Sequence, residues 1–352
     1  MIELLREIVS QPGLSSYEEG VRNFIIKKIQ RISSPKIYPL GNLTATKGKE
    51  KPKILFSAHM DEIGMVVSYI EENGFLRIRK VGLLDDKLLI GRIVQILTSK
   101  GKVDGVIGIR PPHLYSSFNE FEQKRDVPLW DEVFIDVGTN SKKETEELGI
   151  KVMDPILFNK EFVILNNKRC AARSLDDRFG CALLIKALEE VAEEELNCEV
   201  TFAWTVQEEV GAIGGKALAH DIDCDVMFAV DSYACADVPG IPFHYGPAYL
   251  GQGPVLRLMD HYSISTPSLA RWVINLAQEA KIPLQVGPTG GYTDGQHFLA
   301  KGVPMLMLAL PMRYMHSPAE TIDLDDLENL LRLILLIIRS NKTELNKIIL
   351  NI

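Results

Sequence analysis

Four apolar runs in this chain end in histidine or carboxylate side chains, and a fifth segment adds a carboxylate pair. ILFSAHMDEIG carries His59 and Asp61, TFAWTVQEEVG carries Glu208 and Glu209, VMFAVDSYACADVPG carries Asp231, and VPMLMLALPMRYMHSPAE carries His316. AARSLDDRFG adds Asp176 and Asp177. Adjacent like charges closing a buried strand repel each other and resist desolvation, so Glu208 and Glu209 need either open solvent or a cation. Two histidines with several carboxylates and no ligating Cys pair suit a pair of divalent ions such as zinc or cobalt. Two ions close together need a shared anionic ligand, which the Asp176-Asp177 pair offers. In His59-x-Asp61 the carboxylate can accept a hydrogen bond from the imidazole and fix its tautomer. Neighbouring strand-end residues point in different directions. One glutamate of the 208–209 pair can therefore ligate while the other serves as general base toward a metal-acidified water.

The fold must bring these segments to one place. Residues 53–58 form a continuous apolar strand, as expected of a central strand covered on both faces. The pattern continues with a helix over 178–194, a strand over 200–206, a helix near 214–220, a strand over 226–230, a helix over 266–280, a strand over 304–310 and a long C-terminal helix. Such alternation predicts an α/β fold with a largely parallel central sheet and helices on both faces. Ligands in open sheets of this kind bind outside the carboxyl ends of the strands, where the five segments should converge. Near the N-terminus, Ser15 or Ser16 with Glu18 or Glu19 three residues on reads as a capping box opening a helix. Residues 66–162 have another texture: a hairpin about Asn73-Gly74, a second about Lys100-Gly101, the strand VFIDVG and one short helix, SKKETEELG. They read as a small β-rich insertion between catalytic parts at 1–65 and 163–352.

Composition narrows the function. The chain has 352 residues, 46% hydrophobic and 24% charged, with a formal net charge of −8. That balance argues against nucleic-acid binding, which calls for a basic face. No stretch approaches the roughly 20 apolar residues of a membrane span. The N-terminal MIELLREIVSQPG reads as an amphipathic helix and not as a signal peptide, and the five cysteines form no CxxC pair, so the cytoplasm is the expected location.

The motifs AHMDEIG, SLDDRFG, TVQEEVGAIGG, VDSYACADVPG, GGYTDG and RYMHSPAE, in this order and approximate spacing, resemble the tetrahedral aminopeptidase family, some members of which are labelled endoglucanase or cellulase M. The resemblance covers essentially the whole chain. It implies a dinuclear metallopeptidase domain with an inserted oligomerisation domain. Carried over position by position, it implies that Asp176 bridges two metals, that His59 and Asp231 complete one site and that Glu209 and His316 complete the other. Glu208 would be the general base and Asp61 would orient His59. Asp294 in GGYTDGQHF aligns with a substrate-side segment, from which Tyr292 and the residues following Asp294 depart. The implied activity is removal of N-terminal residues from short peptides, inside a hollow tetrahedral homododecamer reached through dimers. The insertion, whose VGLLDDKLLIGRIVQIL stretch holds more Leu and Ile than two hairpins need, reads as an assembly surface. Two other functions compete. A glycoside hydrolase needs two carboxyls flanking the scissile bond, and Glu208 and Glu209 are neighbours at one strand end. A non-enzymatic assembly protein with structural metal would have a closed, Cys-rich site.

Overall fold

The computed structural model describes residues 1–114, 116–117, 127–159, 161–340 and 346–347. They form two compact units: a larger one of Met1–Glu62, Glu161–Met315 and Ala319–Ile352, and a smaller one of Ile63–Lys160 with His316–Pro318.

The larger unit is built on an eight-stranded sheet. Its centre is four parallel strands in the spatial order Glu199–Thr205, Lys53–His59, Val226–Ala234, Met305–Met312. Antiparallel neighbours flank them, Leu43–Lys47 on one side and Val255–Met259 on the other. The central strands are apolar on both faces because both are covered. Phe56, Phe202, Trp204, Phe228 and Leu308 enter a core shared with the helices Ile2–Val9, Glu19–Ile29, Leu175–Glu190, Pro267–Glu279 and Leu324–Ile338. Residues of opposite parity, Leu55, Ala203, Met227 and Met307, pack with Leu218 and Phe298 from the helices Ile213–Asp221 and Gly295–Ala300. A separate three-stranded antiparallel sheet, Phe162–Leu165, Arg169–Ala172 and Glu320–Asp323, was not legible as such in the sequence.

The smaller unit is a closed six-stranded barrel, in the spatial order Gly64–Ile70, Leu76–Val81, Ile135–Asp136, Gly101–Ile107, Ile93–Thr98, Pro155–Phe158. Both expected hairpins are present, pairing Ile70 with Leu76 and Thr98 with Gly101. Gly74, at φ +92°, supplies the left-handed turn residue of the first. Closure satisfies the strand edges that open hairpins would leave bare, around a filling of Met65, Val67, Ile78, Val94, Ile96, Ile135 and Ile156.

Two local readings need correction. The capping box does not form: the helix Glu19–Ile29 begins at Glu18 without a side-chain cap bond. Ser15 instead donates to Asp61, and Glu18 accepts from the amide of Gln207. Asp231 does not end its strand, which continues to Ala234. It lies two residues beyond the last pair with the His59 strand, Ala229 opposite Ser57, because only the Met305–Met312 side continues to hydrogen-bond. Among the described residues no helix is long and apolar enough to cross a membrane.

Phe56 stands in register with Phe202 and Phe228 and stacks on both, at centroid distances of 6.2 and 5.1 Å. Phe56→Ala is expected to lower the unfolding free energy by about 3–5 kcal/mol. A shift of the urea midpoint toward lower concentration checks this.

Candidate metal centre

His59 closes its strand opposite Thr205, so the segments leaving the two strands run side by side and Met60 N–H donates to the Thr205 carbonyl at 2.7 Å. Asp61 therefore reaches the turn after the neighbouring strand. Its Oδ1 accepts the Glu208 amide at 2.9 Å, and its Oδ2 accepts the Glu209 amide at 3.1 Å and the Ser15 hydroxyl at 2.7 Å. The Asp61 carbonyl and Oδ1 lie 3.2 and 3.4 Å from His59 Nδ1. The other ring nitrogen, Nε2, lies 3.3 Å from Asp176 Oδ1 and 4.0 Å from Glu208 Oε2.

Asp176 and Asp177 occupy the first turn of Leu175–Glu190 with non-helical backbone angles, after Ser174 in the left-handed region. Their roles, which spacing left open, separate here. Asp177 turns inward, accepting from the amides of Gly180 at 3.1 Å and His59 at 3.2 Å. Asp176 faces the other ligand candidates. Donor atoms of His59, Asp176 and Asp231 lie within 4.8 Å of one another, as do those of Asp176 and Glu209. Ser232 orients two of these groups: its hydroxyl donates to Asp176 Oδ2 at 2.9 Å and its amide to Asp231 Oδ1 at 2.6 Å. The sequence reading passed over Ser232, although its place beside Asp231 was the available signal.

His316 sits in the loop between Met305–Met312 and Glu320–Asp323, a loop narrowed by the Arg313–Thr321 bridge. It belongs to the segment that clusters with the smaller unit, and its Nδ1 lies 3.0 Å from the Leu83 carbonyl. Tyr314 and His316 are both left-handed, as are Gln207 and Ala212 on either side of Glu208-Glu209. Such strained non-glycine backbone persists only where surrounding contacts enforce it, typically at functional sites.

Asp294 lies beneath the centre. It is buried and accepts from Thr205 Oγ1 and, at 3.2 Å, from the Gly215 amide. A Cβ at Gly215 would stand 2.3 Å from its Oδ1, and one at Gly214 would stand 2.1 Å from the Val206 carbonyl, so the AIGG sequence is needed for this approach. From the same motif it is Tyr292 that reaches the glutamate loop, its hydroxyl accepting from the Gly211 amide at 3.1 Å.

The electrostatics call for a cation. Burial, then the charge of Asp176, pushes the Asp231 carboxyl up to about 7. Burial, then Asp231, Glu209 and Asp294, holds Glu208 well above the ordinary carboxyl range. Burial acts to lower the pKa of His59, but its hydrogen bonds to the Asp176 and Asp61 carboxylates outweigh it and raise that pKa well above the usual value. Carboxylate oxygens and an imidazole converging in a buried pocket, with no thiol among them, fit a divalent metal.

Residues 41–333 match the M42 glutamyl aminopeptidase family. The chain belongs to that family. It is 33% identical over 337 residues to a lysyl aminopeptidase of Pyrococcus furiosus, covering 94% of each chain. The solved Pyrococcus horikoshii TET1 peptidase, described as assembling into a tetrahedron or a large octahedral shell, superposes with a TM-score of 0.90 at 43% identity, covering 97% of this chain and 99% of that one. A Thermotoga maritima structure named as an endoglucanase also shares the fold, with a TM-score of 0.77 at 29% identity and 98% coverage of both chains. M42 membership makes this chain a peptidase and sets the glycosidase and non-enzymatic alternatives aside. M42 enzymes are metallopeptidases, in keeping with the donor groups found here.

In the metal-stripped protein Asp231 holds a proton up to about pH 7, whereas in the unfolded chain it would ionise near 3.8. Across that interval the folded state binds more protons, so stability falls as pH rises. His59, with its raised pKa, adds a loss of the same sign above its ordinary 6.5. The melting temperature of chelated protein should therefore drop between pH 5 and pH 8. Saturating divalent metal should raise it more at pH 8 than at pH 5; equal increments would contradict the assignment.

Proposed function

We propose that the chain is a two-metal aminopeptidase that removes N-terminal residues from short peptides. His59 and Asp231 would hold one ion, Glu209 and His316 the other, with Asp176 shared between them. The observation that carries this reading is the convergence of His59, Asp176 and Asp231 within ligand distance, with Asp176 also close to Glu209. Zinc or cobalt suits such mixed nitrogen and oxygen donors. When bound, such ions acidify a water and polarise a scissile carbonyl.

The remaining work falls to the protein. Glu208, whose Oε2 approaches His59 without replacing it at Asp176, takes the proton of the attacking water and returns it to the leaving amine. Burial and surrounding carboxylates raise its proton affinity above that of an ordinary carboxylate, the direction a general base needs. Asp61 fixes the His59 ring through Nδ1. The acidic lining attracts the free α-amine of a peptide, which favours removal of residues from the N-terminus. The five free cysteines accord with a cytoplasmic setting.

Assembly is the second part of the proposal. Within the LLDDKLLIGRIVQIL stretch the barrel core takes Leu84, Leu89, Val94 and Ile96, while Leu83 and Ile93 are 80% and 55% exposed. Exposed apolar side chains on a barrel whose edges are already closed support an interface with other copies, and the similar PhTET1 structure, described as a dodecamer, supports a dodecamer. Folded proteins would then be poor substrates.

Glu208→Gln should keep metal content and lower kcat by at least ~10², whereas Glu209→Gln should lose metal. Metal loss from Glu208→Gln alone would reverse the two roles. Chelation should abolish hydrolysis of aminoacyl anilides, and two equivalents of zinc or cobalt per chain should restore it. Leu83→Asp with Ile93→Asp should reduce the particle mass in light scattering, while an unchanged mass would remove the barrel from the interface.

A further inference from the structure

We infer that Glu18, 190 residues upstream of the general base, is a positioning residue: with Asp61 it clamps the backbone of residues 207–209 and so sets the direction in which Glu208 points. The inference rests on the role proposed above for Glu208. Glu18 is only 4% exposed, and its Oε1 accepts the amides of Gln207 at 3.0 Å and Ser16 at 2.9 Å. Asp61 accepts the next two amides, of Glu208 and Glu209. Three consecutive N–H groups thus end on two buried carboxylates.

The local backbone explains why such a clamp is needed. Gln207 is left-handed, at φ +54°, a conformation sparsely populated by residues other than glycine. Successive amides around a left-handed residue form a concave nest that binds an anionic or strongly accepting group. In this loop the chain supplies its own acceptors. The Glu208 carbonyl is held as well, by the amides of Gly211 at 3.0 Å and Ala212 at 2.8 Å. With both ends of its peptide fixed, Glu208 has only side-chain torsions left to adjust. Glu18 makes no side-chain cap bond to its own helix, so capping does not account for its burial there. Burial, then the charge of Asp61, raises its carboxyl to about 7, and an acceptor oxygen serves the Gln207 amide in either protonation state.

Three variants and two measurements test the inference. A displacement of about 1 Å in a catalytic group can cost on the order of 10² in rate. Glu18→Ala, which removes the acceptor, should lower kcat about 10²-fold with KM and metal content near wild type. Glu18→Asp, which withdraws the oxygen by one methylene, should lower kcat about 10-fold, and Glu18→Gln, which keeps an acceptor in place, should stay within about threefold. Hydrogen exchange should quicken at residues 205–212 in Glu18→Ala and Glu18→Asp but not in Glu18→Gln. A purely structural role would lower the melting temperature without that rate order or that local exchange. If Glu18→Ala does not fold, the order of Glu18→Gln above Glu18→Asp decides. Wild-type kcat and exchange in Glu18→Asp overturn the inference. An inactive Glu208→Gln beside that result would leave the general base in place and reject only the clamp, whereas an active Glu208→Gln would reject the base itself.

Discussion

Carboxylates taken out of water must each find hydrogen-bond donors or a cation, and this chain buries many of them around one end of its parallel sheet, among them Glu18, Asp61, Asp176, Asp177, Glu208, Glu209, Asp231 and Asp294. The structure divides them. Glu18, Asp61, Asp177 and Asp294 spend their oxygens on backbone amides and hydroxyls. Asp176 and Asp231 converge with His59, and Asp176 also approaches Glu209, while Glu208 faces the same imidazole. The first group is neutralised by the fold and shapes the pocket. The second brings oxygen donors together with an imidazole, a set that fits a divalent metal.

That division depends on backbone geometry more than on side-chain choice. The left-handed turns at Ser174, Gln207 and Ala212 direct successive amides and carboxylates to opposite sides of the chain. Two adjacent acids can then do different work, as Asp176 and Asp177 do: one faces the ligand set while the other ties the His59 amide to the start of a helix. A buried network of Glu62 with Arg173 and Arg178 anchors this region from below. Arg178 donates to the carbonyls of Ile8, Gln11 and Met60, so the N-terminal helix and the His59 segment are held by the residue two positions after Asp176. Rigidity at the centre thus draws on parts of the chain that carry no chemistry.

The sequence by itself determined the alternating α/β architecture, since only strands covered on both faces read as unbroken apolar runs. It also determined the barrel hairpins, since Asn73-Gly74 and Lys100-Gly101 fix those turns locally, and it singled out the histidine and carboxylate side chains at the strand ends as candidates, since charges closing a buried run must meet solvent or a cation. Only the tertiary structure decided which of Asp176 and Asp177 faces the other ligand candidates, where Asp231 stands relative to the end of its neighbouring strand, that the hairpins close with Ile135–Asp136 and Pro155–Phe158 into a barrel, and that Asp294 accepts from Thr205 and the Gly215 amide. It also took Ser15 and Glu18 away from the helix cap that their spacing implied. The physical reason is common to all of these. A buried oxygen binds whichever donor packing places within 3 Å, and the amide of Gln207, 189 residues from Glu18, is brought there by tertiary packing that local spacing does not encode.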